Sequence, residues 1–144
     1  MTNLSEYIHV DASDRILTIR MDRPEKKNAL TQDMYHAMQA ALAQAEEDPQ
    51  IRAVLITGSQ DCFTSGNDVG DFLNAPPLRE DSPTLLFLHT LRTFAKPLLA
   101  AVNGVAVGIG TTMLLHCDLV YAGTNARFLL PFVNLGLVPE AGST

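Results

Sequence analysis

Hydrophobic and polar residues alternate in two short segments near the start of the chain, at 7–10 and 16–21. Such alternation is typical of strands with one buried face, and the polar residues 11–14 between them predict the turn of a hairpin. Over 34–45 the apolar positions recur at helical spacing instead. Because Thr31 is placed to cap this segment and an Asp-Pro pair ends it, we expect a helix that packs on a sheet.

The middle of the chain continues this order of strands and helices. A continuous apolar segment at 52–57 predicts a strand buried on both faces. Proline and charged residues at 74–83 predict a surface loop, from which Ser82-Pro83 begins a second helix. Two more strands are expected at 98–103 and 118–122. This order predicts an α/β fold, and the length favours one domain, 1–144.

The chain contains the same pattern twice: an apolar strand followed by a glycine-bearing loop. The strand at 54–58 leads to 63–68, and the strand at 98–103 leads to 104–110, which then opens a helical segment at 111–116. Glycine lets another group approach the backbone closely, and a helix start presents unpaired N–H donors. Two such loops together can form an oxyanion hole, although the same glycines could simply allow tight turns.

Composition and charge narrow the classes of protein. The 144 residues are 47% hydrophobic, and 16 acidic against 10 basic residues give a net charge of -6, which argues against a nucleic-acid partner. Cys62 and Cys117 lack the spacing of a metal site or a disulfide framework. The start resembles no signal peptide, and no apolar stretch reaches about 18 residues. We therefore expect a cytoplasmic protein without membrane insertion.

Several motifs together resemble the crotonase family, the enoyl-CoA hydratase and isomerase superfamily. They are Arg23-Pro24 before Asn28-Ala29-Leu30, the loop at 63–68, the segment 102–110, and Cys117-Asp118. The match runs from about residue 7 to the end, in the family's order and spacing. The resemblance implies a spiral of ββα units and an acyl-CoA thioester substrate. It also implies that the N–H groups of Asn67 and Ile109 hold the thioester oxygen as an enolate.

The resemblance further implies a set of substrate contacts. Lys27 would meet a phosphate of coenzyme A and Ala29 would line the adenine side, although loop lysines are as often solvated charges. Asp68 could also cap the turn at 69–73, which would leave the N–H of Asn67 free. The remaining residues expected to bind the acyl-CoA lie on the two glycine loops: Ser65, Gly66, Asn67, Asp68, Val69 and Gly108.

The position of the acidic residues indicates which reaction is expected. Hydratases of the family carry two Glu residues where this chain has Thr112 and Phe132. Glu140, after Pro139, instead resembles the base of Δ3,Δ2-enoyl-CoA isomerases, which moves a proton from C2 to C4 and needs no metal or redox cofactor. Its apolar neighbours are expected to desolvate it. The alternative is an ordinary acidic residue in the first turn of a helix.

Three other functions stay open at this point. The chain could be an enoyl-CoA hydratase or catalyse another crotonase-type reaction with Glu140 alone, or it could be a noncatalytic acyl-CoA-binding subunit or fragment. A nicotinamide-binding Rossmann unit is the third alternative, although Met113 stands where the third glycine of its motif would be.

Family members usually continue beyond the last residue of this chain. The resemblance therefore implies an N-terminal portion that lacks the C-terminal helical region covering the acyl pocket. It also implies a homotrimer or hexamer, and apolar surface at 128–138 is expected to promote association. A peroxisomal location would require a C-terminal signal beyond this sequence.

Overall fold

The computed structural model describes residues 5–143. No helix in this range is long and apolar enough to cross a membrane. The elements in chain order are β1 (Ile8–Ser13), β2 (Ile16–Met21), α1 (Gln32–Glu47), β3 (Ala53–Thr57), β4 (Cys62–Thr64), α2 (Val69–Asn74), α3 (Pro83–Thr93), β5 (Leu98–Val102), β6 (Val105–Val107), α4 (Ile109–Thr112), β7 (Leu119–Ala122) and β8 (Arg127–Leu129). Short 3-10 turns lie at Pro24–Lys26, Met113–His116 and Val133–Leu135.

The strands form two sheets, and after the first hairpin consecutive strands alternate between them. The five-stranded sheet has the order β1-β2-β3-β5-β7, and the three-stranded sheet has the order β4-β6-β8. Only β1 and β2 pair antiparallel; all other pairs are parallel. After the opening hairpin, each unit sends its first strand to the large sheet and its second to the small one. This repeat confirms the predicted α/β arrangement of ββα units.

The hairpin turn lies later than the sequence predicted. β1 extends to Ser13, which pairs with Ile16, so the turn is Asp14-Arg15 and not 11–14. Both turn residues have positive φ, 52° and 68°, as two-residue hairpin turns require. The polar residues at 11–13 belong to the strand because this end of the hairpin is exposed to solvent.

The first helix forms as predicted. Thr31 is its N-cap, and its side chain accepts a hydrogen bond from the N–H of Met34. The helix ends at Glu47 before Asp48. Its apolar face enters the core through residues that share helical spacing: Met34, Tyr35, Ala37, Met38, Ala41, Leu42 and Ala45.

The predicted strand at 52–57 is fully buried on one face only. The expectation that both of its faces are buried is therefore wrong. Val54 and Ile56 are fully buried, whereas Ala53, Leu55 and Thr57 are partly exposed. The buried face meets one contiguous core that includes side chains of both sheets and of α1 and α3. The other face is thus only half covered within the described chain.

Lys96 joins the end of α1 to the strand that follows α3. Its Nζ donates to the carbonyl oxygens of Ala45, Asp48 and Ile51 at 2.5, 2.7 and 2.8 Å. The last carbonyls of a helix lack partners within the helix, and a cation there also interacts favourably with the helix dipole. This lysine therefore fixes the turn between α1 and β3.

Replacing Lys96 with methionine should lower the free energy of unfolding by about 2 kcal/mol, because charged hydrogen bonds to carbonyls of limited solvent access are lost. Urea denaturation of Lys96→Met measures this change. Lys26→Met is the matched control, since Lys26 is exposed. Equal stability of the two variants would contradict the structural role of Lys96.

Candidate functional site

A cavity of about 380 Å³ lies where the two glycine loops meet the segment 131–140. Its lining is mostly apolar. The lining residues from the first loop and α2 are Ser65, Gly66, Asn67, Val69, Phe72 and Leu73, those from the second loop are Val107, Gly108 and Ile109, and the rest are Pro131, Phe132, Leu135, Leu137 and Glu140.

Parallel pairing of β4 with β6 brings the two loops together. Both loops leave the same edge of the small sheet, because the carboxyl ends of parallel strands lie side by side. Gly66 has φ +99°, and a Cβ on it would lie 3.1 Å from the carbonyl oxygen of Val107. A Cβ on Gly110 would lie 2.7 Å from Cγ2 of Thr64. The glycines thus serve tight packing, and that packing is what sets the loops next to each other.

Asn67 presents a backbone N–H that is not used by the fold. The residues on either side of it bind Leu30: the N–H of Leu30 donates to Gly66, and the N–H of Asp68 donates to Leu30. Within residues 5–143 the N–H of Asn67 itself has no acceptor. Since Asn67 lines the cavity, this donor is available to a ligand there.

Ile109 presents the second such donor. It is the first residue of α4, and its N–H has no acceptor among the described residues. Gly108 before it donates to Leu129, which fixes the loop, and has φ +59°. The helix that follows has only four residues before a 3-10 turn, so the predicted segment 111–116 begins two residues earlier and is mostly not α-helical. This short helix does not fit a Rossmann unit.

Asp68 holds the first loop and does not line the cavity. Its Oδ1 accepts from the N–H of Asp71, so it is the predicted N-cap of α2. Its Oδ2 accepts from Nη1 of Arg23 at 2.8 Å, and the same Nη1 donates to the carbonyl of Ala29. The backbone N–H of Asp71 and the Arg23 guanidinium hold the pKa of Asp68 below its usual range. Direct contact of Asp68 with the substrate stays a prediction.

Asn28 is a second support of the same loop. It is fully buried, and its Nδ2 donates to the carbonyls of Cys62 and Phe63 at 3.1 and 3.0 Å. Its own carbonyl accepts from the hydroxyl of Thr64 at 2.6 Å. The asparagine of the Asn-Ala-Leu motif thus ties the polar loop to β4.

Lys27 and Ala29 lie on this polar loop, outside the cavity. The carbonyl of Lys27 accepts from the N–H of Ser65, which lines the cavity, and its side chain is exposed. The loop therefore borders the cavity on the side of Ser65. Contacts of Lys27 and Ala29 with coenzyme A remain predictions.

Glu140 lines the cavity but is not desolvated. It is exposed and lies in a loop, so residues 5–143 supply neither the expected apolar shielding nor a helix that begins at Glu140. The apolar neighbours that were expected to cover it, Leu135, Leu137 and Val138, are themselves 66%, 51% and 79% exposed. The carboxylate therefore reaches the cavity from a segment with little packing of its own.

Thr112 and Phe132 stand where hydratases of the family carry glutamates, and only one of them lines the cavity. Phe132 lines the cavity with an apolar ring, whereas Thr112 is buried and does not line it. Phe72 and Leu73 of α2 also line this cavity with apolar side chains. Leu85 and Leu88 of α3 line a different cavity of about 350 Å³.

Tyr35 is a site residue that the sequence did not reveal. It is buried on α1, and its hydroxyl donates to Oδ1 of Asn67. Its ring packs on Phe87 with centroids 5.5 Å apart. Burial raises the pKa of Tyr35, and the charge of Glu140 adds to this effect. In the sequence, Tyr35 is indistinguishable from the other core residues of α1. The one hint of a different role is that a residue with a polar hydroxyl stands among methionines and alanines.

Two unused backbone N–H groups and a carboxylate, on residues that line one cavity, define a site that can polarise a carbonyl and move a proton beside it. The sequence pattern of the enoyl-CoA hydratase/isomerase family matches residues 11–144, and the chain belongs to this family. This membership confirms the family resemblance.

The alignments with named relatives include nearly all of this chain. It is 42% identical over 146 residues to human enoyl-CoA delta isomerase 2 (96% of this chain, 37% of that protein). It is 39% identical to 2,3-dehydroadipyl-CoA hydratase of Escherichia coli (98% of this chain, 55% of that protein). The solved structure of Pseudomonas aeruginosa OdaA superposes with a TM-score of 0.93 at 59% identity, over 96% of this chain and 56% of that one. The chain thus spans about half the length of these relatives, or less.

Replacing Asp68 with asparagine should reduce stability at neutral pH and much less in acid. Because the folded-state pKa lies below the unfolded value of about 3.9, the stabilisation is complete above that value and is lost as the pH falls through the folded-state pKa. Urea denaturation of wild type and Asp68→Asn at pH 7 and pH 3 measures the difference.

Asp81→Asn is the control for this prediction. Asp81 also pairs with an arginine, Arg79, but the carboxylate is 68% exposed, against 20% for Asp68. Solvent screening should make its effect on stability small at both pH values. A difference between wild type and Asp68→Asn that does not shrink in acid would contradict the role assigned to the Arg23 pair.

Proposed function

We propose that this protein is a Δ3,Δ2-enoyl-CoA isomerase of fatty-acid metabolism. The observation that carries the proposal is the cavity itself: among its described lining residues Glu140 is the one acid, and it shares the cavity with the unused N–H groups of Asn67 and Ile109. A double-bond shift needs one base and a stabilised enolate, and this set of groups supplies both.

The mechanism follows from these groups. A 3-enoyl-CoA binds with its thioester oxygen on the N–H groups of Asn67 and Ile109. The Glu140 carboxylate removes a proton from C2, and the electron pair of that C–H bond delocalises through the carbonyl to give a dienolate. The protonated carboxyl then returns the proton to C4, and the double bond ends between C2 and C3. Removing one oxyanion donor from such a site typically costs about 3 kcal/mol in the barrier.

A hydratase is the second candidate, because relatives of both names are similarly identical to the chain. Water addition commonly uses one group to activate water and another to deliver a proton. The two positions that carry acids in hydratases hold Thr112 and Phe132 here, which supports the isomerase. A noncatalytic acyl-CoA-binding subunit is the third candidate.

The assembly is part of the proposal. Phe128, Val133 and Val138 are 48%, 88% and 79% exposed, within an apolar surface that runs over 128–138. Association of copies into a trimer or hexamer would bury apolar area of this kind. We further propose that the reaction uses no metal or redox cofactor, since the carboxylate and the two N–H groups complete the proton transfer, and that it takes place in the cytoplasm.

Glu140→Gln should lower the isomerisation of trans-3-hexenoyl-CoA by about a thousandfold or more, because the amide cannot accept the C2 proton. Binding of the thioester should change little. The measurement follows formation of the conjugated 2-enoyl thioester and, separately, hydration of trans-2-hexenoyl-CoA. Glu47→Gln, an exposed change at the end of α1, is the control.

The outcomes separate the three candidates. Isomerisation that survives in Glu140→Gln would refute Glu140 as the base. Hydration without isomerisation in wild type would favour the hydratase. Thioester binding with neither reaction would favour the noncatalytic subunit.

Lys27→Met should raise KM for the coenzyme A thioester several-fold and leave kcat nearly unchanged, because a phosphate contact is made equally in the ground and transition states. The effect should vanish with the pantetheine thioester of the same acid, which carries no phosphate. Lys26→Met is the control, as its side chain is equally exposed. A KM change that persists with the pantetheine substrate would rule out a phosphate contact.

A further inference from the structure

The side chain of Asn67 is fixed by a group that the mechanism does not use. The buried hydroxyl of Tyr35 donates to Oδ1 of Asn67. An amide that accepts through its oxygen must point its NH2 group in the other direction. Because burial keeps the Tyr35 hydroxyl neutral, it remains a donor over the whole working pH range.

The NH2 group of Asn67 is a free donor among the described residues. Within residues 5–143 its Nδ2 has no hydrogen-bond partner, and it does not belong to the buried polar atoms without one. Asn67 itself lines the cavity. A solvent-accessible donor on a lining residue is therefore available to a group inside the cavity.

Glu140 is the acceptor that this donor can serve. The lining residues with polar side chains are Ser65, Asn67 and Glu140, and the hydroxyl of Ser65 faces the carbonyl of Lys26 at 3.4 Å. Asn67 and Glu140 line the same cavity, so their side chains can approach each other there. When an acyl chain fills the cavity and expels water, the carboxylate loses its solvent donors and needs a replacement.

We propose that Tyr35 is a positioning residue that orients the Asn67 amide, so that Nδ2 donates to the Glu140 carboxylate and holds it beside C2 of the bound thioester. Asn67 then has two roles, with its backbone N–H on the thioester oxygen and its side chain on the base. The inference rests on the proposed function of Glu140. Its structural half, the contact from Tyr35 through Asn67 to Glu140, does not depend on which reaction occurs.

A double-mutant cycle tests whether Tyr35 acts through Asn67. Tyr35→Phe removes only the hydroxyl and keeps the ring on Phe87, and Asn67→Ala removes the amide but keeps the backbone N–H. Each single change should lower kcat about tenfold, the effect of one hydrogen bond in the transition state, with KM within about twofold. Because they interrupt one contact, the double variant should be no slower than Asn67→Ala.

Tyr121→Phe is the matched control, since Tyr121 is exposed on β7 and its change should leave kcat unaltered. A Tyr35→Phe variant as fast as this control would overturn the proposal. So would a full second loss of kcat when Tyr35→Phe is added to Asn67→Ala, because Tyr35 would then act independently of the amide.

A second readout does not require turnover. In 15N-labelled wild-type protein saturated with hexanoyl-CoA, the side-chain NH2 resonances of Asn67 should differ from those of Glu140→Gln, since the acceptor differs. If isomerisation is absent but this difference is seen, the proposed function fails and the Tyr35–Asn67–Glu140 contact stands. Identical resonances would overturn the contact, and this comparison remains decisive even if Tyr35→Phe does not fold.

Discussion

The close pairing of β4 with β6 is the constraint on which the site depends. It allows no side chain at the contact points: a Cβ on Gly104 would lie 1.9 Å from the carbonyl oxygen of Asp61, and one on Gly110 would meet Thr64 at 2.7 Å. Because the strands run parallel, their following loops leave one edge together. The unused N–H groups of Asn67 and Ile109 face a common cavity for this reason.

Buried polar contacts then hold the first loop against this pair of strands. Asn28 donates to two carbonyls of β4, and Arg23 binds the Asp68 carboxylate that caps α2. Hydrogen bonds of Leu30 with Gly66 and Asp68 fix the residues on either side of Asn67. An oxyanion hole requires donors that do not reorganise during the reaction, and this loop is anchored from both sides.

The sequence predicted those parts of the fold that depend on local chemistry. The caps Thr31 and Asp68 and the glycine loops were predicted because each has a short-range cause: a side chain within three residues, or a φ that only glycine adopts freely. The Asp14-Arg15 turn was missed because Arg15 stands where such turns favour glycine, although Asp at the first position is typical of them. The Lys96 and Tyr35 contacts join residues far apart in sequence, so periodicity could not reveal them.

The two halves of the site differ in how firmly they are held. The N–H donors belong to packed loops, whereas Glu140 extends from an exposed segment whose apolar residues contact little of the described chain. A donor that stabilises developing charge must be fixed in advance, but a base that takes a proton from C2 and returns it at C4 must reach two atoms. The proposed mechanism requires the carboxylate to reach both atoms. The proposed hydrogen bond from the Asn67 amide, itself held by Tyr35, would limit how far the carboxylate moves.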